Sequence, residues 1–152
     1  MCPTGPVLTL KKLTVMSTAD PPLRPKRVLL VEDERDVRDA LAEVLESERY
    51  EVLRAAHGAE ALRMLTGTDG IDCDLIVLDL MMPVMNGWDF RKKQRADAQL
   101  ARIPVLLMSA GAHLATACGD LDAADFVSKP VDIPDLLAKL ERHAGAHAVA
   151  RG

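Results

Sequence analysis

The chain has 152 residues, of which 49% are hydrophobic and 28% are charged, a composition typical of a soluble globular protein with one domain of common size. Its formal net charge of -4 at pH 7 argues against nucleic acid as the main partner, because binding to phosphates requires a basic surface. No apolar stretch reaches the roughly 18 residues of a membrane span, and the 3 cysteines have neither disulfide-framework nor zinc-site spacing, so we expect a cytoplasmic protein with no membrane partner.

The residues at both ends of the chain are predicted to lie outside the folded domain. Residues 1–25 lack hydrophobic periodicity and end in a proline-rich stretch that favours an extended linker, and Met16 is a second candidate start. Residues 144–152 are rich in alanine, glycine and histidine, and we expect them to fray. The sequence therefore predicts a flexible extension over residues 1–25, a domain over residues 26–143 and a flexible tail over residues 144–152.

Within the domain, short apolar runs alternate with amphipathic stretches. The apolar runs predict strands at residues 28–31, 50–53, 75–78, 103–108 and 124–127. The amphipathic stretches predict helices at residues 37–45, 58–65, 88–100 and 112–118, and a last helix after Asp132. Strands that alternate with helices indicate an α/β fold with a parallel sheet covered on both faces. Right-handed crossovers then favour a doubly wound, five-stranded sheet of the flavodoxin-like order 2-1-3-4-5.

Charged and polar side chains follow four of the predicted strands, at the edge where open α/β sheets bind their ligands. Glu32 and Asp33 follow the first strand, Asp79 the third, Ser109 the fourth and Lys129 the fifth. Two carboxylates about 4 Å apart repel by up to about 4 kcal/mol at an effective dielectric constant of about 20, so the cluster requires a cation. Mg²⁺ binds carboxylates and leaves positions for phosphate oxygens, which Lys129 and the hydroxyl of Ser109 can also bind. The pattern predicts phosphoryl transfer with Mg²⁺ as the cofactor and Asp79 as the nucleophile.

Each of these residues alone also has a simpler structural interpretation. An aspartate at a strand end commonly forms a turn, and Glu32 or Asp33 could cap the first helix. Lys129 could be a solvated surface lysine, and the basic residues Arg91–Lys93 with Arg95 are interpreted as the solvated face of the third helix. The joint occurrence of charged and polar residues at four strand ends favours the functional interpretation.

The motifs around these residues resemble those of response regulator receiver domains in two-component signalling, in the family's order and near its spacing. The matching stretches are Val28–Glu34, Leu78–Pro83 followed by Asn86-Gly87, Met108–Ala110, and Phe126–Pro130. The resemblance extends from about residue 26 to residue 142. It implies that Asp79 accepts a phosphoryl group from a sensor histidine kinase or a histidine phosphotransfer protein. It also implies that Glu32, Asp33 and Asp79 bind Mg²⁺ together with the backbone carbonyl of Met81.

The resemblance further implies a switch in which Ser109 and Lys129 bind the phosphoryl group. Their movement would draw the loop after the fourth strand inward and let the ring of Phe126 turn in from the surface. Downstream partners would then bind the face formed by residues 111–143, and activation could produce a homodimer. Phe126 could equally be an ordinary core residue, and the Lys129-Pro130 bond is often cis in this family. We therefore expect a stand-alone phosphorelay receiver rather than an enzyme with an external substrate, with a downstream protein as its target.

Three other functions are compatible with a fold of this class. A protein-interaction module could keep the fold without depending on phosphorylation, and Mg²⁺-dependent labelling would distinguish it. A hydrolase of the haloacid dehalogenase type needs a second aspartate two residues after the nucleophile, where this chain has Met81, and the Asp72-Cys73-Asp74 sequence precedes the third strand instead of following it. A flavin-binding protein would need a phosphate-binding loop after the first strand, where Glu32–Glu34 would repel phosphate.

Overall fold

The computed structural model of the protein describes residues 25–66, 70–111 and 114–151, with side chains described as far as Ala144. Within these ranges, five strands alternate with five α-helices. The strands are β1 (Arg27–Val31), β2 (Glu51–Ala55), β3 (Leu75–Asp79), β4 (Val105–Ser109) and β5 (Asp125–Ser128). The helices are α1 (Arg35–Ser47), α2 (Gly58–Leu65), α3 (Gly87–Ala96), α4 (Leu114–Asp120) and α5 (Ile133–Arg151), and a 3-10 turn (Leu100–Arg102) precedes β4. The predicted extension at residues 1–24 and the predicted start of the fourth helix at Ala112 lie outside the described residues.

The strands form one parallel sheet in the order β2-β1-β3-β4-β5. This order confirms the predicted doubly wound 2-1-3-4-5 topology. The register pairs Val31 with Leu78, Asp79 with Met108 and Ser109 with Ser128. The carboxyl ends of β1, β3, β4 and β5 therefore meet at one edge of the sheet, which is the edge that bears the predicted functional residues.

The core lies on both faces of the three central strands, because helices cover both faces. Leu29 and Val31 of β1 pack in one cluster with buried side chains of α2, α3 and α4. Val28 and Leu30 alternate to the other face and pack with buried side chains of α1 and α5. Since side chains alternate between two covered faces, every position of a central strand favours an apolar residue. This explains the unbroken apolar runs by which the sequence indicated these strands.

Helix α3 presents a partly polar face to the core. Its buried residues are Gly87, Phe90, Arg91 and Gln94, which share one face at helical spacing. The prediction of a solvated basic face is therefore wrong for Arg91, which is 4% exposed. The guanidinium of Arg91 donates to the carbonyls of Leu121 at 2.9 Å and Asp122 at 2.7 Å and to Oε1 of Gln94 at 2.8 Å. These bonds attach α3 to the turn that follows α4.

Two helices have other ends than the sequence predicted. Helix α3 ends at Ala96 instead of residue 100, because a carboxylate oxygen of Asp97 accepts the backbone N–H groups of Gln99 and Leu100 and forms a turn there. Helix α5 continues to Arg151, across residues for which the sequence predicted a flexible tail. Alanine has the highest helix propensity, and Ala144 is buried in the core. Although α5 has 19 residues, no helix in the described part of the chain is long and apolar enough to cross a bilayer.

Candidate functional site

The carboxylates of Glu32, Asp33 and Asp79 converge at the carboxyl edge of the sheet. Glu32 directly follows β1, and Asp79 is the last residue of β3, which pairs with β1. One oxygen atom from each carboxylate lies within 4.8 Å of the other two. Glu32 is 0% exposed and Asp79 is 2% exposed, whereas Asp33 is exposed to solvent. The parallel register thus brings together the three carboxylates that the sequence placed at neighbouring strand ends.

Lys129 reaches this cluster from the end of β5. Its Nζ atom donates to Oε1 of Glu32 at 2.7 Å and to Oδ2 of Asp79 at 3.1 Å. The backbone N–H of Lys129 donates to the carbonyl of Ser109 at 2.9 Å, and the Lys129-Pro130 peptide bond is cis. The simpler interpretation of Lys129 as a solvated surface lysine is therefore wrong.

Burial and ion pairing have opposite effects on the pKa values of Lys129 and Glu32. Burial alone would lower the pKa of Lys129, but its hydrogen bonds to Glu32 and Asp79 outweigh burial and raise that pKa. Burial raises the pKa of Glu32, and the hydrogen bonds from Lys129 and from the backbone N–H of Glu34 only partly oppose it. Lys129 is therefore charged at neutral pH and supplies the main local compensation for the buried carboxylates.

Asn86 and Gly87 hold the loop that follows Asp79 against the end of β3. The side chain of Asn86 caps α3, and the backbone N–H of Gly87 donates to the carbonyl of Leu80 at 3.0 Å. A Cβ atom at residue 87 would lie 2.7 Å from Cα of Leu80 and 2.9 Å from the carbonyl oxygen of Asp79, so only glycine permits this approach. The backbone N–H of Met81 donates to Oδ1 of Asp79 at 3.1 Å, while its side chain is 62% exposed. The loop therefore holds Oδ1 of Asp79, whereas Lys129 holds Oδ2.

Ser109 lies at the end of β4, which pairs with the strand that carries Asp79. It is 2% exposed, and its hydroxyl donates to the carbonyl of Ala110 at 3.2 Å. Ala110 and Gly111, which follow it, are exposed. Ser109 is thus next to the carboxylate cluster along the sheet edge, with its hydroxyl engaged by its own loop.

Phe126 lies in β5 and packs in part against the hydrophobic cluster that includes α4. Its carbonyl accepts a hydrogen bond of 2.7 Å from Nζ of Lys139, which also lies 5.4 Å from the centre of the aromatic ring. The neighbouring Asp125 accepts from Nε2 of His143 at 3.1 Å when that atom is protonated. Phe126 is therefore half-buried and is bordered by charged groups of α5.

The donor set of this site fits a hard divalent cation. Three carboxylate oxygens lie close enough together to bind one ion, and Asp33 gives access from solvent. Lys129 contributes one positive charge, so three ionised carboxylates leave an excess of negative charge. Oxygen ligands and residual negative charge are the features that favour Mg²⁺.

Two further contacts of Glu32 have no signal in the sequence. Its Oε2 atom accepts the backbone N–H of Glu34 at 3.0 Å, and its backbone carbonyl accepts Nη1 of Arg38 at 2.8 Å. The alternative that Asp33 caps α1 is not realised, because Glu34 holds the cap position and no side chain makes a capping bond there. Arg38 could not be distinguished beforehand from the solvated charged residues of α1, since its contact depends on the conformation of the β1–α1 turn.

Comparisons with known proteins agree with this geometry. The family model described as the response regulator receiver domain matches residues 28–141. The transcriptional regulatory protein CpxR of Escherichia coli (strain K12) is 38% identical over 116 residues, which cover 75% of this chain and 47% of that protein. The chain spans about half the length of the curated relatives it matches.

Solved structures of receiver domains have the same fold. The non-phosphorylated HemR receiver domain from Leptospira biflexa is 33% identical, with a TM-score of 0.67 over 78% of this chain and 94% of that one. The receiver domain of the sensor histidine kinase PA1611 from Pseudomonas aeruginosa PAO1 is 27% identical, with a TM-score of 0.71 over 80% of this chain and 98% of that one. That structure has a magnesium ion coordinated in its active site cleft. With a family match over most of its length, this chain belongs to the response regulator receiver domain family of two-component signalling.

Proposed function

We propose that Asp79 accepts a phosphoryl group from the phosphohistidine of a sensor kinase or a histidine phosphotransfer protein. Glu32, Asp33, Asp79 and the backbone carbonyl of Met81 would hold Mg²⁺, which when bound neutralises the carboxylates and binds a phosphoryl oxygen. The observation that carries the proposal is the cluster of three carboxylates within 4.8 Å, with Lys129 paired to two of them.

In this proposal the carboxylate of Asp79 is the nucleophile. One of its oxygen atoms forms a bond to phosphorus while the bond between phosphorus and the histidine nitrogen breaks, and the electron pair of that bond stays on the imidazole. The N–H of Met81 holds one Asp79 oxygen and Lys129 holds the other, so the carboxylate is fixed before the donor arrives. Lys129 then stabilises charge on the phosphoryl oxygens.

The new phosphoryl group would compete for the hydroxyl of Ser109. That hydroxyl now donates to the Ala110 carbonyl over 3.2 Å, a weak bond that a charged phosphoryl oxygen can replace. Ser109 would draw the following loop inward, and Phe126 would turn into the space released next to α4. Downstream proteins would recognise the resulting change in the face formed by residues 111–143.

We propose that the phosphohistidine-bearing partner packs in a groove next to the acidic cluster. The groove, of about 390 Å³, runs between α1 and the loop after β5, and its lining includes Lys129. Its other lining residues are largely apolar and include Val37, Ala40, Pro130 and Ile133. Since Ala40 is exposed, Ala40→Glu should slow transfer from a phosphohistidine protein and leave labelling by acetyl phosphate unchanged. Ala96→Glu, at an exposed position of α3, is the matched control.

The proposed function is tested by intact mass after incubation with acetyl phosphate, with and without Mg²⁺. We expect one phosphoryl adduct on the wild-type protein, only with Mg²⁺, and none on Asp79→Asn. Asp36→Asn removes an exposed carboxylate of α1 and should be labelled like the wild type. No adduct on the wild type under any condition would contradict the proposal and favour an interaction module that does not depend on phosphorylation.

A further inference from the structure

Every polar atom of Glu32 has a partner, and one of these partners is a side chain of α1. Its N–H donates to the carbonyl of Ala55 at 3.1 Å. Its carboxylate oxygens accept from Lys129 at 2.7 Å and from the backbone N–H of Glu34 at 3.0 Å. Its backbone carbonyl accepts from Nη1 of Arg38 at 2.8 Å. Arg38 is the one side chain of α1 in this set, and it reaches back to the end of β1.

The bond from Arg38 fixes a peptide plane that also belongs to Asp33. The carbonyl of Glu32 and the N–H of Asp33 are parts of one planar unit, so a group that holds the carbonyl also sets the direction in which the chain continues to Asp33. No side chain caps α1 at Glu34, and Asp33 is exposed to solvent. Packing and helix capping therefore do little to orient Asp33, and Arg38 donates a side-chain hydrogen bond directly to the carbonyl of its peptide.

We infer that Arg38 is a positioning residue for the cation site. By holding the Glu32 carbonyl, it keeps the carboxylates of Glu32 and Asp33 directed toward Asp79, within the 4.8 Å cluster. The inference rests on the proposed function, since it concerns the same Mg²⁺ site. Charge alone would predict the opposite effect on Mg²⁺ affinity. A guanidinium next to the site repels a divalent cation, so its removal would strengthen Mg²⁺ binding.

The test compares Mg²⁺ affinity in Arg38→Met and Arg35→Met. Arg35 lies on the same helix, its side chain is 83% exposed and its ion pair is with Asp39, so Arg35→Met removes the same charge without touching Glu32. Mg²⁺ titrations followed by ¹H–¹⁵N NMR measure the dissociation constant and report on folding in the same sample. We expect binding about tenfold weaker in Arg38→Met, and unchanged or slightly tighter binding in Arg35→Met. Arg38→Lys should recover part of the affinity but not all of it, because the ammonium of the shorter lysine side chain donates to the same carbonyl less well than the guanidinium does.

The outcomes separate the role of Arg38 from the proposed function. Mg²⁺ binding by Arg38→Met that is equal to or tighter than in Arg35→Met would overturn the positioning role and leave the proposed function intact. A wild-type protein that takes up no Mg²⁺ would overturn both. If Arg38→Met does not fold, Arg38→Lys is compared with Arg35→Lys, which preserves the charge in both proteins. Weaker Mg²⁺ binding in Arg38→Lys alone supports the positioning role, and equal binding in the two variants overturns it.

Discussion

Nζ of Lys129 lies 2.7 Å from Oε1 of Glu32, although the side chain of Glu32 is fully buried. A buried carboxylate stays ionised only where a cation and hydrogen bonds replace the water that it has lost. Burial is the strongest influence on Glu32 and raises its pKa, and the hydrogen bond from Lys129 is the strongest influence in the other direction. The charge state of Glu32 therefore depends on Lys129.

Lys129→Met should destabilise the protein in a pH-dependent way. Without Lys129, the pKa of folded Glu32 would lie further above its unfolded value, so the folded state would bind more protons and stability would fall as the pH rises between these values. We expect a loss of about 3 kcal/mol near pH 8 and a smaller loss near pH 5, measured by urea unfolding. Added Mg²⁺ should recover part of the loss near pH 8, since it restores positive charge at the carboxylates.

The control for this substitution is Lys93→Met, at an exposed position of α3. It should change the unfolding free energy by less than about 0.5 kcal/mol at either pH. An equal loss in Lys129→Met at both pH values would mean that the side chain stabilises the fold by packing and not by compensating buried charge.

Asp125→Asn should make the stability of the protein less sensitive to acid, because Asp125 lies in the contact between β5 and α5. Burial would raise the pKa of Asp125, but hydrogen bonds from His143 and from the Phe126 backbone, with the charge of Lys139, outweigh burial and lower it. A lowered folded-state pKa contributes stability above the unfolded-state pKa, and this contribution is lost as the pH falls through the folded-state value. We therefore expect Asp125→Asn to be less stable than the wild type at neutral pH, with the difference shrinking in acid. Thermal unfolding between about pH 3 and pH 7 measures it.

Glu43→Gln serves as the comparison for Asp125→Asn, because Glu43 is an exposed carboxylate in the middle of α1. Its unfolding should follow the wild-type pH dependence. If the unfolding temperature of the wild type falls no more steeply in acid than that of Asp125→Asn, then folding does not lower the pKa of Asp125.

Arg91→Met should weaken the attachment of α3 to the turn after α4. The substitution leaves the carbonyls of Leu121 and Asp122 without the donor that they have in the wild type. Loss of hydrogen bonds made by a charged, buried side chain costs about 2 kcal/mol, which urea unfolding would measure. Lys92→Met, at the exposed neighbouring position, should be within about 0.5 kcal/mol of the wild type. Similar losses of unfolding free energy in both variants would indicate that Arg91 stabilises the protein through its place in the helix and not through these hydrogen bonds.

Arg91 also illustrates what the sequence could and could not predict. The central strands were predictable because burial on both faces requires unbroken apolar runs such as residues 75–78. The acidic cluster was predictable because the parallel topology brings strand ends together, which places Asp79 next to Glu32. The burial of Arg91 was not predictable, because two of its three partners are backbone carbonyls 30 and 31 residues away, and carbonyls carry no sequence signal.

The same limit explains the other differences between sequence and structure. Arg38 contacts a backbone carbonyl, and the end of α3 depends on a turn formed by the side chain of Asp97. Both depend on local backbone geometry rather than on a residue pattern. The meeting of the strand ends that carry the acidic cluster, by contrast, needs no such detail, since strand direction and register alone bring these ends to the same edge.

The lifetime of the phosphoryl group on Asp79 should be long in this protein. Hydrolysis requires a water molecule oriented toward the phosphorus atom, and a polar side chain near Asp79 would orient it. The side chain of Met81 is apolar and 62% exposed next to Asp79. Gly111 has no side chain, and its φ of 124° disfavours substitution by any other residue. Position 81 is therefore the better place to test the effect.

Met81→Asn should shorten that lifetime by about threefold or more, because its carboxamide can hold a water molecule next to the acyl phosphate. Decay of the adduct, followed by intact mass after removal of acetyl phosphate, measures the rate. Val84→Asn is the matched control, because it makes the same kind of apolar-to-polar change at an 81% exposed position of the same loop. The φ of residue 84 is 67°, a backbone conformation that asparagine adopts more readily than valine. Equal decay rates in the wild type and Met81→Asn would mean that residue 81 does not control access of water. Faster decay in Val84→Asn would mean that the polarity of the loop in general, rather than a side chain next to Asp79, determines the rate.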